Sequence, residues 1–119
     1  MTALLFVAVS VAGGVGAACR FMLDGVIRAA VSTRLPVATM AINISGSFVL
    51  GLLVGLAVPT PALLVVGTGF LGGYTTFSTA SFETVRLLQE REWTRALITG
   101  FGVLVAATAA ASSGLYLGS

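Results

Sequence analysis

Long apolar stretches occupy most of this sequence, and short polar segments separate them. The stretches cover approximately residues 3–30, 36–58, 62–88 and 93–117. A helix needs about 20 apolar residues to cross the roughly 30 Å hydrocarbon core of a membrane, so each stretch can span it once. Strands of a membrane barrel would instead alternate apolar and polar residues. The pattern predicts an all-α integral membrane protein with four transmembrane helices, forming one domain over residues 1–119.

Residues that start or stop helices lie between these stretches. Pro36 stands where the second helix could begin, because proline is favoured in the first turn. The segment Val58-Pro59-Thr60-Pro61 cannot remain helical and predicts a tight turn. The segment Gln89-Glu90-Arg91-Glu92 is a charged connector, and Trp93 after it fits an anchor at the membrane interface.

Small residues predict close contact between some of these helices. Gly51 and Gly55 are four residues apart in the second stretch, and Gly13 and Ala17 have the same spacing in the first. In lipid, burying apolar surface gains little, and such residues let helix backbones approach each other.

Composition removes the soluble and nucleic-acid-binding classes. Hydrophobic residues make up 57% of the chain and charged residues 8%, against about 25% charged in an ordinary soluble domain. Lysine and arginine form no stripe interleaved with aromatic residues, so nucleic acid is not expected as a partner. The chain has no histidine and a single cysteine, Cys19, which excludes an internal disulfide and argues against zinc. The sequence shows neither a nucleophile–base pair nor a carboxylate dyad, so we do not expect an enzyme.

The basic residues are all arginines, and their placement predicts an orientation. Arg28 and Arg34 belong to the region of the first connector, and Arg86, Arg91 and Arg95 belong to the third. With four spans, these connectors share one side of the membrane. Both termini and the second connector lie on the other side, which has no basic side chain. The positive-inside rule then predicts that both termini lie outside.

Polar side chains inside the predicted spans are functional candidates, because membrane depth penalises them. The amide of Asn43 either bonds between helices or offers its hydrogens to a permeating anion. Arg20 and Asp24, four residues apart, can pair on one helix face; alternatively, Arg20 places positive charge in a vestibule that attracts an anion. Glu83 can extend to the interface, and Ser112 can bond to its own helix.

Glycines and threonines mark a weak point in the third stretch. Gly72 and Gly73 are followed closely by Thr75 and Thr76, and both residue types disfavour helix. Non-helical backbone at membrane depth persists only where protein buries it or where it lines a cavity. We therefore expect a third helix broken at mid-membrane, with freed carbonyls for a cation and freed amides for an anion. A continuous helix packed through its glycines is the alternative.

Together these motifs resemble the CrcB/Fluc family of fluoride channels over nearly all of the chain. The first helix contains Gly13-Gly14-x-Gly16-Ala17-x-x-Arg20-Phe21. The second contains Thr39-x-x-x-Asn43-x-x-Gly46-Ser47-Phe48-x-x-Gly51. The third contains Gly69-Phe70-x-Gly72-Gly73-x-Thr75-Thr76-Phe77-Ser78-Thr79, with Glu83 downstream.

The resemblance implies an antiparallel dimer of four-helix subunits in the cell membrane, with two narrow fluoride pores. Asn43 matches the pore asparagine, and Phe77 matches the first of two phenylalanines whose ring edges face fluoride. Arg20 matches the vestibule arginine. The carbonyls that hold a central sodium ion, Na+, match those of Gly72 and Thr75. A polar track along the pore is implied for Thr39, Ser81, Glu83 and Ser112.

The residue types suit fluoride chemistry. Fluoride is small and strongly hydrated, so a dry pore must replace its water with donors such as the Asn43 amide and the hydroxyls of serine and threonine. The positive edges of aromatic rings also suit an anion, and larger anions would fit a narrow pore poorly. No group couples transport to an energy source. We therefore expect passive flow, which a negative cell interior directs out of the cytoplasm, relieving fluoride toxicity.

One position departs from the family pattern. The second phenylalanine, three residues after Phe77, is Ala80 here. Phe82 lies about 200° from Ala80 around a helix, so it cannot simply replace that ring. Together with the one-sided arginines, this suggests one half of a heterodimer, whose paralogous partner is inserted the other way up and supplies the missing ring. A homodimer with an altered pore is the alternative.

Two other functions fit the architecture less well. A small multidrug-resistance transporter also has four short helices in an antiparallel dimer, but it needs a membrane-embedded carboxylate in its first helix. Residues 1–19 contain none, and Asp24 lies near the far end. The other alternative is a membrane assembly subunit that transports nothing.

Overall fold

The computed structural model describes residues 2–119 and is helical in every long element, which confirms the all-α prediction. Helix α1 is Ala3–Ala30 and α2 is Val37–Gly55. Helix α3 covers residues 60–74, α4 is Phe77–Gln89 and α5 is Trp93–Gly118. Within the described residues, α1, α2 and α5 are long and apolar enough to cross a membrane. Helices α3 and α4 together occupy the third apolar stretch of the sequence.

Local chemistry explains where these helices begin and turn. The Thr2 hydroxyl accepts a hydrogen bond from the Leu5 N–H at 3.1 Å and so caps the start of α1. Pro36 directly precedes α2, where its fixed φ angle suits entry into a helix. After α2, Ala57 adopts a left-handed φ of 54°. Pro61 lies in the first turn of α3, so the proline-containing segment forms the turn between the two helices.

Glycines bring the helices together in two closely packed pairs. In the pair α1–α3, a Cβ atom at Gly16 would overlap the carbonyl of Phe70, and one at Gly73 would overlap the carbonyl of Gly13. In the pair α2–α5, a Cβ at Gly51 would likewise overlap the α5 backbone. The predicted close contacts of these small residues are therefore confirmed.

Two helices contain π-helical backbone, which sequence reasoning did not anticipate. The segment Leu64–Leu71 of α3 and the segment Ile98–Gly102 of α5 form i→i+5 hydrogen bonds. Each wider turn changes which side chains face the neighbouring helices, and such turns are frequent at functional sites. The α3 segment leads directly into the glycine pair Gly72 and Gly73.

Ion pairs join the first and third connectors at one end of the molecule. Glu92 accepts hydrogen bonds from Arg34 of the first connector and, at 2.6 Å, from Arg95 of α5. The bond from Arg95, followed by that from Arg34, lowers the pKa of Glu92 and keeps its carboxylate ionised. Gly55 at the end of α2 packs against Leu115, so the second connector lies at the opposite end with the C-terminus.

Candidate functional site

The helical backbone is interrupted between α3 and α4. Thr75 has φ −81° and ψ 159°, and Thr76 has φ −146° and ψ 117°, so both residues are extended. The Thr76 hydroxyl accepts a hydrogen bond from the Thr79 N–H at 3.1 Å and caps the start of α4. Threonine is a favoured N-cap residue, so the local sequence stabilises a restart of the helix at Phe77.

Asn43 of α2 holds the peptide groups at this interruption. Its Nδ2 atom donates to the Thr76 carbonyl at 2.8 Å, and its Oδ1 atom accepts from the Thr76 N–H at 2.8 Å. Of the two expectations for Asn43, bonding between helices is therefore observed. The amide nitrogen carries two hydrogens, and one of them bonds to Thr76. The other can donate to a different acceptor. Its service to an anion stays a prediction.

The same contacts release two backbone carbonyls near the interruption. In a continuous helix, the Gly72 carbonyl would accept from the Thr76 N–H and the Thr75 carbonyl from the Thr79 N–H. Those two N–H groups instead donate to the Asn43 side chain and the Thr76 hydroxyl. Gly72 and Thr75 thus present carbonyl oxygens without their helical donors, and carbonyl oxygens of unwound helices are suitable ligands for Na+.

Arg20 does not form the ion pair that its spacing predicted. Its Nε atom donates to the Gly73 carbonyl at 3.2 Å, close to the end of α3. Asp24 instead pairs with Arg28 at 2.8 Å. Asp24 is four residues from both arginines, and an acid placed N-terminal to its basic partner has the better geometry on a helix. The predicted Arg20–Asp24 pair is therefore wrong.

An open groove of about 620 Å³ lies between α2, α3, α4 and α5. Its wall includes Asn43 and the Thr75–Thr76 backbone, and Phe77, Ala80 and Ser81 extend it along α4. Residues at i, i+3 and i+4 share one face of a helix, which explains why α4 turns these three side chains to the groove. Gly72 also lines it. The interruption, Asn43 and two more of the predicted pore residues, Phe77 and Ser81, therefore meet in one place.

The other predicted pore residues lie away from the groove. Thr39, one turn before Asn43 on α2, is buried and donates its hydroxyl hydrogen to Glu83 Oε1 at 2.6 Å. Arg20 contacts the Gly73 carbonyl of α3 and does not line the groove, and Ser112 is exposed on α5. The structure thus joins Thr39 to Glu83 but does not bring Ser112 to either of them.

A second, polar cavity of about 620 Å³ lies at the end formed by the first and third connectors. Arg28, Arg34 and Arg86 line it together with Glu83 and Glu90. Glu83 therefore does not extend freely to the interface. It lines the cavity, and its Oε1 atom accepts the hydrogen bond from Thr39. Sequence reasoning missed this cavity, because its arginines come from three different elements.

Comparison with known proteins identifies the family. The family model described as CrcB-like protein, Camphor Resistance (CrcB), matches residues 7–115. This chain belongs to the CrcB family. The fluoride-specific ion channel FluC 1 of Leifsonia xyli subsp. xyli is 52% identical over 99% of this chain and 89% of that relative. FluC 2 of Mycobacterium tuberculosis (strain ATCC 25618 / H37Rv) is 38% identical over 98% and 93%. FluC 3 of Bifidobacterium longum is 40% identical over 92% and 96%.

Membership of the CrcB family, together with helices able to cross a membrane, makes the chain a multi-pass membrane protein. Its apolar exposed side chains agree with lipid contact. Phe77 is 87% exposed beside the groove, and Phe82, on another face of α4, is 68% exposed. Phe82 does not line the groove, whereas Ala80 does. In this CrcB protein, one side of the groove therefore carries a methyl group one turn after the Phe77 ring.

Proposed function

We propose that this CrcB-family chain is a subunit of a fluoride-selective passive channel, which lets fluoride leave the cytoplasm and so reduces its toxicity. One observation carries the proposal: a relative named a fluoride-specific ion channel is 52% identical over 99% of the chain. The chain is a channel subunit rather than an enzyme. Passive flow needs only a membrane-crossing path with hydrogen-bond donors that replace the water around the ion.

The proposed path begins in the groove. The free Nδ2 hydrogen of Asn43, the hydroxyl of Ser81 and the positive ring edge of Phe77 serve as donors to the dehydrated anion. Their shared position on the groove wall supports this role. Thr39 and Glu83 continue the polar track toward the connector end, supported by their 2.6 Å hydrogen bond. Ser112 joins the track only where another subunit approaches α5.

The interruption at Thr75 and Thr76 is assigned to mid-membrane depth, with a structural Na+ beside it. The carbonyls of Gly72 and Thr75 would hold the ion, because their helical donors are diverted to side chains. When bound, the ion supplies a fixed positive charge that offsets the exposed carbonyl dipoles. Arg20, with its Nε on the Gly73 carbonyl, keeps its remaining guanidinium hydrogens for an anion in the vestibule.

A second subunit in the opposite orientation completes the channel. The exposed Phe77 ring and the open groove support a partner that covers them. The partner is either a copy of this chain, giving an altered pore at Ala80, or a paralogue that supplies the missing ring. Numbered relatives such as FluC 1 and FluC 3 are compatible with paralogous subunits.

Fluoride efflux from reconstituted vesicles tests the function. Vesicles loaded with potassium fluoride and treated with a potassium ionophore should release fluoride rapidly when they contain the protein, because the ionophore balances the charge that a passive channel moves. Matched vesicles loaded with potassium chloride should release chloride far more slowly. Protein-free vesicles provide the background rate. Equal fluoride and chloride rates would contradict the proposed selectivity, and release at the background rate would contradict the channel.

The partner is tested by comparing the purified chain alone with the chain co-expressed beside a paralogue from the same genome. A heterodimer predicts background efflux for the chain alone and fast efflux for the pair. Fast efflux from the chain alone would show that a homodimer suffices. Restoring the ring with Ala80→Phe should then change the homodimer rate, because the substitution alters the wall on which the proposed path runs.

A further inference from the structure

A chain of hydrogen bonds links α2, α4 and α1 at the edge of the polar cavity. The Thr39 hydroxyl donates to Glu83 Oε1 at 2.6 Å, and Arg28 Nη2 donates to Glu83 Oε2 at 3.4 Å. Arg28 is itself held by Asp24, which accepts from its Nε at 2.8 Å. Each oxygen of the Glu83 carboxylate therefore has one donor, and these donors come from two different helices.

Arg28 differs from the other arginines around this cavity. Arg34 pairs with Glu92, and Arg86 pairs with Glu90 at 3.3 Å. Among the described residues 2–119, only Arg28 makes a salt bridge to Glu83. The Glu83 side chain is 15% exposed and that of Arg28 is 50% exposed, so the carboxylate lies inside while the guanidinium faces the cavity.

We infer that Arg28 is a positioning residue for anion permeation. It holds Glu83 toward Thr39 and offsets the negative charge of that carboxylate where the polar track opens into the cavity. The inference deepens the proposed fluoride path and rests on it. It also assigns a role to the Asp24–Arg28 pair, which orients the guanidinium toward Glu83.

The physical reason is the sign of the charge beside the path. An unpaired carboxylate repels an approaching anion, and water screens that repulsion poorly when the carboxylate is largely buried. Asp24, Arg34, Arg86 and Glu90 also carry charge near this end. Within residues 2–119, Arg34 pairs with Glu92 and Arg86 with Glu90, so Arg28 is the one cation in a salt bridge with Glu83. Without Arg28, Glu83 loses the cation opposite its second oxygen, and the Thr39 hydroxyl is left as the one donor that orients its carboxylate.

The first experiment measures fluoride efflux from vesicles containing Arg28→Gln. We expect the rate to fall about threefold to tenfold, because removing one partner of a charge pair leaves the other charge without compensation. Arg28→Lys should recover most of the rate, since it restores a cation within reach of Glu83. Arg86→Gln removes the same charge from the same cavity but breaks the pair with Glu90, so its loss should be clearly smaller.

The second experiment places Arg28→Gln in a Glu83→Gln background. Once the Glu83 carboxylate is gone, the one carboxylate that Arg28 still pairs with is that of Asp24, which is not part of the proposed track. We therefore expect the second substitution to cause little further loss. Equal losses in both backgrounds, or equal losses for Arg28→Gln and Arg86→Gln, would overturn the inference. If Glu83→Gln itself stops efflux, the first experiment decides whether the inference holds. It holds if Arg28→Gln lowers the rate clearly more than Arg28→Lys and Arg86→Gln do, and it fails otherwise. Wild-type efflux above background separates failure here from failure of the proposed function.

Discussion

The substitution Asn43→Asp should remove nearly all fluoride efflux. The substitution keeps the shape of the side chain but replaces its Nδ2 donor with an oxygen that faces the Thr76 carbonyl, where the native bond is 2.8 Å. It also places a negative charge on the groove wall. Like charges brought together away from water cost several kcal/mol, so we expect the rate to fall by about two orders of magnitude.

The measurement is fluoride efflux from vesicles that contain equal amounts of folded wild-type or variant protein. Helix content and elution volume in detergent confirm that each variant is folded. Ser45→Ala is the matched control on the same helix: it removes an exposed hydroxyl that bonds to Ile42 and Tyr74, without adding charge. We expect that control to conduct close to the wild-type rate. Unchanged efflux in Asn43→Asp would remove Asn43 from the path.

The substitution Gly16→Ala should push helices α1 and α3 apart and destabilise the protein. A Cβ atom at Gly16 would overlap the Phe70 carbonyl and crowd the Tyr74 N–H, and this backbone cannot move aside as a flexible side chain would. Overpacking of this kind costs about 1–3 kcal/mol and occasionally more. Because Tyr74 ends α3 at the interruption, the displacement should also disturb the site and lower fluoride efflux.

Gly14→Ala is the matched control for this prediction. The same Cβ atom at Gly14, two residues earlier on α1, meets no atom within 4 Å in the subunit. Alanine is also the better helix former, so we expect unchanged or slightly higher stability. Unfolding of both variants in mixed detergent micelles, followed by circular dichroism, measures the difference. Equal unfolding midpoints for the two variants would contradict the close backbone contact at Gly16.

Hydrophobic patterning predicted the long helices because lipid-facing segments need length and apolar surface, and both can be read along the chain. Helix α1 was expected over residues 3–30 and is Ala3–Ala30. The π-helical segments were not predicted. An i→i+5 turn differs from an α-turn by a small local energy that packing decides, and Gly67 and Gly100 within these segments were the available signals.

The site was only partly predictable, because its contacts join residues far apart in sequence. Asn43 and Thr76 were each recognised as unusual, but their mutual hydrogen bonds depend on how α2 lies against the interruption. The Arg20–Asp24 prediction failed because spacing allows Asp24 two partners. Asp24 pairs with Arg28 because the acid then lies N-terminal to the base along the helix. Arg20 bonds to the Gly73 carbonyl instead. The pairing of Glu83 with Arg28 likewise required the tertiary structure.

The central claim is that the protein carries fluoride passively and selectively. The most direct test measures the reversal potential of the current across a planar bilayer. The bilayer would contain the protein with any natural partner, a fluoride gradient and symmetrical chloride. A passive, fluoride-selective path predicts current that reverses at the equilibrium potential of fluoride and follows that potential when the gradient is changed. Current that reverses near zero whatever the fluoride gradient, or no current above that of the bare bilayer, would contradict it.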